Sequence, residues 1–161
     1  MVHPRAAELI ERLHLRPHPE GGFYAEVHRS QQAVDALDGR SRRAALTSIY
    51  FLLPESAISR WHRVLSDEVW CHLEGAPLEL HLLDAATPSA HTITLAPVSA
   101  HDAPQHTVPA GVWQAARSTG AYSLAACMVA PGFDFDDFAL MAADDPLRGW
   151  IGNHYPALSA Y

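Results

Sequence analysis

The sequence predicts an all-β fold, an antiparallel sandwich or small barrel, preceded by one short helix. From residue 44 onward, short apolar segments with strand-like alternation are separated by turn signals about every 8–12 residues, which is typical of such folds. The chain has 161 residues, 48% of them apolar. That length fits one domain that buries roughly two-thirds of its extended surface.

The N-terminal region predicts a helix, a break and a strand. Residues 4–15 place Leu9, Ile10 and Leu13 on one side of a helix, and Pro4 suits its first turn. The segment 16–22 contains two prolines and a Gly-Gly pair, which end the helix. Residues 30–43 are polar, which predicts a mobile surface loop that is a candidate lid.

The remaining elements follow from alternation and turn residues. Predicted strands cover residues 23–29, 47–53, 58–64, 68–73, 78–83, 91–95, 105–108, 112–116 and 122–129. After Pro131, three phenylalanines are expected to cap the core or contact a partner: Phe133, Phe135 and Phe138. The neighbouring acidic residues are expected to face solvent or cap turns: Asp134, Asp136 and Asp137. The chain is then expected to end in a short helical or irregular segment.

Composition excludes several classes of protein. The net charge of −7 argues against nucleic-acid binding, because phosphate neutralisation needs a basic patch. No basic start precedes an apolar run, and no run of 18 apolar residues occurs, so we expect neither a signal peptide nor a membrane span. These features predict a cytoplasmic protein in which Cys71 and Cys127 stay reduced.

The densest group of chemically active residues lies between residues 61 and 75. Strand alternation puts His62 on a face with Ile58 and Val64, and puts Glu68 on a face with Trp70 and His72. If these two strands are adjacent, His62 and Glu68 lie on the same inner surface. A turn at residues 109–111 then returns Gln114 towards that cavity.

These residues resemble a known pattern. His62, Glu68, Gly75 and the Pro-x-Gly turn at residues 109–111 resemble the two-part signature of the cupin superfamily. Five blocks in order are similar to the cupin subfamily called domain of unknown function 985: residues 17–24, 49–53, 62–70, 108–114 and 129–138. The resemblance implies an antiparallel jelly-roll β-barrel with a pocket in its mouth, assembled as a homodimer. One domain would then span the chain, with the helix at 1–15, the barrel at 16–140 and a tail at 141–161.

The sequence departs from the general cupin pattern at its metal ligands. That pattern has His-x-His, then Glu, then a third His, whereas this chain has Val64 and Gln114 at two of the histidine positions. Valine binds no metal, and a neutral amide is a poor ligand for transition metals. We therefore expect no tightly bound cofactor, with a weak divalent ion on His62, Glu68 and Gln114 as an alternative.

A site without metal suits these residues better. Some cupin epimerases and isomerases of sugar nucleotides use a histidine base and a tyrosine acid, and the resemblance implies the same chemistry here. His62 would be the base, Glu68 or Asp67 its orienting partner, and Tyr50 or Tyr24 the acid. The substrate class is a sugar or similar hydroxylated metabolite, and the alternative is a cupin that binds a small ligand without reaction.

Further residues are candidates for ligand contact. Arg29 or Arg63 would bind a phosphate or carboxylate, although alternation puts Arg63 on the face opposite His62. Trp70 is expected as a pocket wall, Gln114 as a ligand contact or a buried amide, and residues 17–23 as a packing turn. The full set of expected ligand-binding residues is Trp70, His72, Gln114, Tyr24, Glu20 and Arg29.

Overall fold

The structure, a computed structural model, describes residues 2–161. Helix α1 spans Pro4–Arg12 and helix α2 spans Pro146–His154, with 3₁₀ turns at Phe135–Asp137 and Pro156–Leu158. The strands are β1 (Arg16–Pro17), β2 (Phe23–Arg29), β3 (Ala33–Val34), β4 (Arg43–Ala44), β5 (Thr47–Pro54), β6 (Ile58–Val64), β7 (Asp67–Gly75), β8 (Leu78–Asp84), β9 (Ser89–Leu95), β10 (Gln105–Val108), β11 (Trp113–Ser118), β12 (Tyr122–Ala130) and β13 (Phe138–Leu140).

Two large antiparallel sheets form the body of the molecule. One has the strand order β1-β2-β5-β12-β7-β10, and the other has the order β13-β6-β11-β8-β9. The all-β antiparallel class predicted from the sequence is confirmed, and each predicted strand is present with ends within three residues of those observed.

The main core lies between the two sheets. The six-stranded sheet contributes Phe51, Trp70 and Cys127, while the five-stranded sheet contributes Leu80 and Leu82. Alternation along each strand sends these side chains inward. Each fully buried side chain of this size contributes about 1.5–3 kcal/mol, so this layer holds the sheets together.

Helix α1 packs on the outer face of the six-stranded sheet. Its Ala6 and Leu9 are buried against Leu52, and the His3 side chain accepts a hydrogen bond from the backbone N–H of Arg5 at the helix start. The helix ends at Arg12, three residues earlier than predicted, because His14 adopts a positive φ of 54°. On the other sheet, α2 and the end of the chain cover Trp61 and Trp113.

The segment 30–43 is mostly loop, as expected from its polarity, but it is attached to the rest of the fold. It contains β3, which pairs with β4, and its arginines bind the segment after β12. Arg43 makes a bidentate ion pair with Asp137 at 2.8 Å and 2.8 Å, and Arg40 adds a third bond at 2.8 Å. The expectation that Asp137 faces solvent is wrong, since two guanidinium groups compensate its buried charge.

The two cysteines are free thiols. Cys127 lines the inner cavity, whereas Cys71 alternates with the inward Trp70 and His72 and so points to the opposite face of the sheet. Within residues 2–161, no helix is long and apolar enough to cross a membrane.

Candidate functional site

A cavity of about 350 Å³ lies between the sheets. Its lining includes the acid–base groups His18, Glu20, His62 and Glu68, and aromatic side chains form much of the rest of its wall. Six of the residues expected at the site line this cavity: His62, Glu68, Trp70, Tyr24, Glu20 and Arg29. Tyr50, His72 and Gln114 are absent from its lining.

His62 and Glu68 face each other from different sheets. Their strands are not adjacent in one sheet, because β6 belongs to the five-stranded sheet and β7 to the six-stranded sheet. Both side chains are nevertheless buried and reach the same cavity. The site therefore has one titratable group on each of two opposing walls.

A β-bulge in β6 changes which residues share a face with His62. Three steps of β6, from Ser59 to His62, lie opposite two steps of β11, so Ser59 and His62 both point inward. Ile58 instead joins Trp61 in the outer cluster. The expected alternation was wrong for Ile58, because the bulge inserts one extra residue and so reverses the side to which the residues before it point.

Glu20 reaches the cavity from a tight turn between β1 and β2. The backbone N–H of Gly21 donates to the His18 carbonyl at 3.0 Å, and the N–H of Arg60 donates to the Glu20 carbonyl at 2.9 Å. Gly21 has φ 121°, and a Cβ there would collide with the carbonyl oxygen of Ile58, so only glycine fits. The segment that composition marks as a packing turn thus delivers a buried carboxyl group.

The side chains of Glu20 and His62 form a buried pair. Oε2 of Glu20 lies 3.2 Å from Nε2 of His62, and the Ser59 hydroxyl donates to Oε1 of Glu20 at 2.8 Å. Nδ1 of His62 is 2.7 Å from the Arg60 carbonyl, which can only accept, so Nδ1 carries a proton. The lone pair of neutral His62 therefore points at Glu20.

Burial decides where the shared proton lies. It raises the pKa of Glu20 from 4.5 to about 8, against smaller opposing effects of the Ser59 hydroxyl and Arg60. Burial also lowers the pKa of His62, which the charge of Glu68 only partly offsets. Both directions favour a neutral pair at pH 7, in which the Glu20 carboxyl donates to Nε2 of His62.

His18 is a cavity residue that sequence reasoning missed. Its Nδ1 accepts a hydrogen bond from the backbone N–H of Glu20 at 3.2 Å, and its ring meets the edge of Tyr24 at 4.5 Å. Burial, followed by repulsion from His62, lowers its pKa to about 4. The sequence signal that identifies it is a histidine two residues before Glu20, inside a turn flanked by prolines.

Glu68 is held by a chain of hydrogen bonds. The Gln114 amide nitrogen donates to Oε2 of Glu68 at 2.6 Å, and the Trp70 indole N–H donates to the Gln114 amide oxygen at 2.9 Å. Burial raises the pKa of Glu68 to about 7, against a smaller lowering by His62 and by the hydrogen bonds to Gln114 and Cys127, while the charge of Glu20 adds a smaller increase. Gln114 is thus a buried amide behind the cavity wall.

Three expected roles do not agree with these positions. Tyr50 alternates with the cavity residues Ile49 and Phe51, so it faces outward and packs against the cluster under α1. The His72 ring donates from Nε2 to the Ala76 carbonyl at 3.0 Å, a structural contact. Asp67, considered as a partner for His62, accepts from the Ala110 backbone N–H at 2.9 Å instead.

The residues aligned with the general cupin metal ligands do not fit a tight metal site. Val64 contributes an apolar wall, and both ends of the Gln114 amide are already hydrogen-bonded. Throughout residues 2–161, no group of three or more histidine, cysteine or acidic side chains is arranged to hold a metal ion.

Two arginines lie at the cavity, and their environments differ. Arg29 binds both carboxyl oxygens of Glu26, at 3.0 Å and 2.7 Å, and donates to the Phe133 carbonyl at 3.2 Å. The guanidinium of Arg16 lies 5.0 Å from the centre of the Tyr24 ring. Arg63 stacks on Trp113 outside this cavity, as its alternation predicted.

Comparisons with known proteins agree with this architecture. The family described as cupin superfamily (DUF985) matches residues 7–141. A hypothetical protein from Leishmania major is 36% identical, with a TM-score of 0.80 over 96% of this chain and 94% of that chain. A protein from Shewanella oneidensis, solved by X-ray crystallography, is 34% identical, with a TM-score of 0.80 over 96% and 92%.

More distant structures share the fold alone. Oxalate decarboxylase from Bacillus subtilis is 14% identical, with a TM-score of 0.59 over 91% of this chain and 35% of that chain. No curated protein matches the sequence. Together with the two antiparallel sheets, these neighbours confirm the predicted cupin-type jelly roll.

Proposed function

The chain belongs to the cupin superfamily (DUF985), and on that premise we propose that it is a metal-independent acid–base enzyme. The reaction is an isomerisation or epimerisation of a sugar or similar small hydroxylated metabolite. The observation that carries this proposal is the placement of two buried acid–base units, Glu20–His62 and Glu68, on one cavity.

Opposed walls suit inversion at a carbon atom. Such a reaction removes a proton from one face of the substrate and returns a proton to the other face. His62 is on the five-stranded sheet, and Glu20 is hydrogen-bonded to Ser59 of the same sheet. Glu68 is on the six-stranded sheet. A substrate held between the sheets has one unit on each side.

The pKa values suit proton transfer near neutral pH. The pKa of Glu68 is about 7 and that of Glu20 is about 8, so each group exchanges a proton within the working range of a general acid or base. His62 and Glu20 serve as the base together: the Glu20 carboxyl group passes its proton to Nε2 of His62 as the resulting carboxylate takes the proton of the substrate. Of the two tyrosines expected as the acid, Tyr24 takes that role, because it lines the cavity and Tyr50 does not.

The cavity fits a small metabolite. Its volume of about 350 Å³ lies at the lower end of ligand pockets. Apolar ring faces such as Trp70 and Phe138 pack well against the C–H surface of a sugar, while the carboxyl groups accept its hydroxyl protons.

The test is solvent exchange. The protein is incubated in D₂O with a panel of sugars, sugar phosphates and hydroxy acids, and mass spectrometry follows the gain of one deuterium. We expect wild type to label its substrate, and His62→Gln to lose labelling of the epimer whose proton faces the Glu20–His62 unit while keeping its melting temperature. Equal labelling by His62→Gln and wild type would refute the assigned base.

A binding protein without catalysis is the second candidate. It is favoured by the contact between Glu20 and Nε2 of His62, since that contact occupies the lone pair needed for proton abstraction. Native mass spectrometry of freshly purified protein separates the two candidates. A bound ligand that keeps all its protons after incubation in D₂O supports binding alone.

We also propose an oligomeric state and a cellular location. We propose a homodimer, supported by apolar side chains left exposed on the six-stranded sheet, including Val27 and Leu73. Light scattering tests it, and a monomer at micromolar concentration would contradict it. The proposed cytoplasmic location is tested by cell fractionation.

A further inference from the structure

We propose that Arg16 is an anion-binding residue, so that the ligand of the cavity carries a phosphate or carboxylate group. This deepens the proposed function by naming a substrate class, and it rests on that function only in using the same cavity.

The chain has no lysine, and its eleven permanently charged basic residues are all arginines. Nine of them contact a carboxylate or a backbone carbonyl: Arg5, Arg12, Arg29, Arg40, Arg42, Arg43, Arg60, Arg117 and Arg148. Among residues 2–161, Arg16 and Arg63 have no such partner, and each lies on an aromatic ring. Of these two, Arg16 lines the cavity.

The aromatic contact holds the Arg16 guanidinium without using its donors. A ring face attracts the cation through its quadrupole, which leaves the N–H groups in the guanidinium plane free. The position is also fixed by the backbone, since Arg16 in β1 pairs in register with Tyr24 in β2. A planar fork of free donors held in place matches the oxygens of a carboxylate or phosphate.

The second arginine of the cavity cannot take this role. Arg29 is bound by both carboxyl oxygens of Glu26 and by the Phe133 carbonyl, so four of its five N–H groups are already used and its charge is compensated by Glu26. The buried part of the cavity holds the carboxyl groups of Glu20 and Glu68, which repel an anion when ionised, whereas the other two carboxylates of the lining, Glu26 and Asp134, lie near Arg29. The anionic end of a ligand therefore points to Arg16, and its neutral, hydroxylated end points to His62.

The experiment uses the side-chain Nε–Hε signals of arginine in ¹⁵N NMR spectra of the full chain. The Arg16 and Arg63 signals are assigned by their loss in Arg16→Gln and Arg63→Gln. Inorganic phosphate and acetate are then added in separate titrations at constant ionic strength. Arg63 is the matched control, because it is also stacked on a ring and lies outside the cavity.

We expect a saturable shift of the Arg16 signal, at least several times that of Arg63, with phosphate, acetate or both. The more effective anion identifies the group recognised. A shift of Arg16 no larger than that of Arg63, or no shift at all, would overturn the proposal. Because the titration involves no turnover, it can succeed while the D₂O experiment fails, and the reverse holds as well.

Discussion

Nε2 of His62 and Oε2 of Glu20 lie 3.2 Å apart in a buried site, and Nδ1 of His62 donates to the backbone carbonyl of Arg60. The two side chains share one proton, which burial places on Glu20. This pairing has consequences for stability as well as for chemistry.

Glu20 makes the folded protein less stable as pH rises from 4.5 to about 8. Its folded pKa of about 8 exceeds the ordinary 4.5, so over this range the native state keeps a proton that the unfolded chain has lost. Its stabilising contribution is present at low pH and is lost as pH rises through the folded pKa. Glu68 acts in the same direction up to about pH 7.

His18 has the opposite sign in a different range. Its folded pKa of about 4 lies below the ordinary 6.5, so its contribution is lost as pH falls from 6.5 towards 4.

Urea unfolding at pH 6.5 and at pH 8 tests the effect of Glu20 above the range of His18. We expect the free energy of unfolding to decline from pH 6.5 to pH 8, and the decline to be smaller in Glu20→Gln. The exposed Glu55→Gln is the control. An undiminished decline in Glu20→Gln would show that another group causes it.

Gln114→Leu tests the hydrogen-bond chain behind Glu68. The leucine keeps most of the volume but leaves the Trp70 N–H and one Glu68 oxygen without their partner. An unsatisfied buried polar group costs about 1–3 kcal/mol, so we expect a loss of at least about 2 kcal/mol in urea unfolding. The exposed Gln31→Leu should change stability by less than about 0.5 kcal/mol. A similar small change in Gln114→Leu would contradict the hydrogen-bond chain.

Restoring two histidines should create a metal site. Val64→His with Gln114→His supplies the imidazoles that the general cupin pattern has at these positions, beside His62 and Glu68. Elemental analysis of protein purified without a histidine tag should show a transition metal near one equivalent in the double variant and far less in wild type. Gln114→His alone is the control. Near-stoichiometric metal in wild type would contradict our interpretation of the site.

Asp137→Asn tests how the segment 30–43 is attached. The change weakens the contacts with Arg40 and Arg43, leaving Arg43 without a balancing charge. We expect a lower melting temperature and earlier proteolytic cleavage between residues 30 and 43. Asp35→Asn, whose pair with Arg42 is exposed, should leave both unchanged. Equal behaviour of the two variants would show that Asp137 does not anchor this segment.

The sequence predicted the strands well because their alternation and turn residues are local signals. The same local reasoning located His62, Glu68, Trp70 and Tyr24 on the cavity. Tyr50 lies outside the cavity because Ile49 and Phe51 occupy the inner face of β5, and alternation sends Tyr50 to the opposite face.

Other features depend on contacts between distant parts of the chain. The partnership of Glu20 with His62 joins residues 42 positions apart, and a bulge in β6 brings Ser59 to both. The burial of Asp137 depends likewise on arginines more than 90 positions away. Neither alternation nor spacing contains this information.

Proton transfer by two opposed groups is most directly tested with both epimers of the identified substrate in D₂O. Each epimer is incubated with wild type, His62→Gln and Glu68→Gln, and deuterium at the reacting carbon is measured by NMR. Wild type should label and interconvert both epimers. Neither variant should interconvert them, and each should label only the epimer whose proton faces its remaining base. Interconversion at the wild-type rate by Glu68→Gln, or labelling of both epimers by His62→Gln, would contradict proton transfer by two opposed groups.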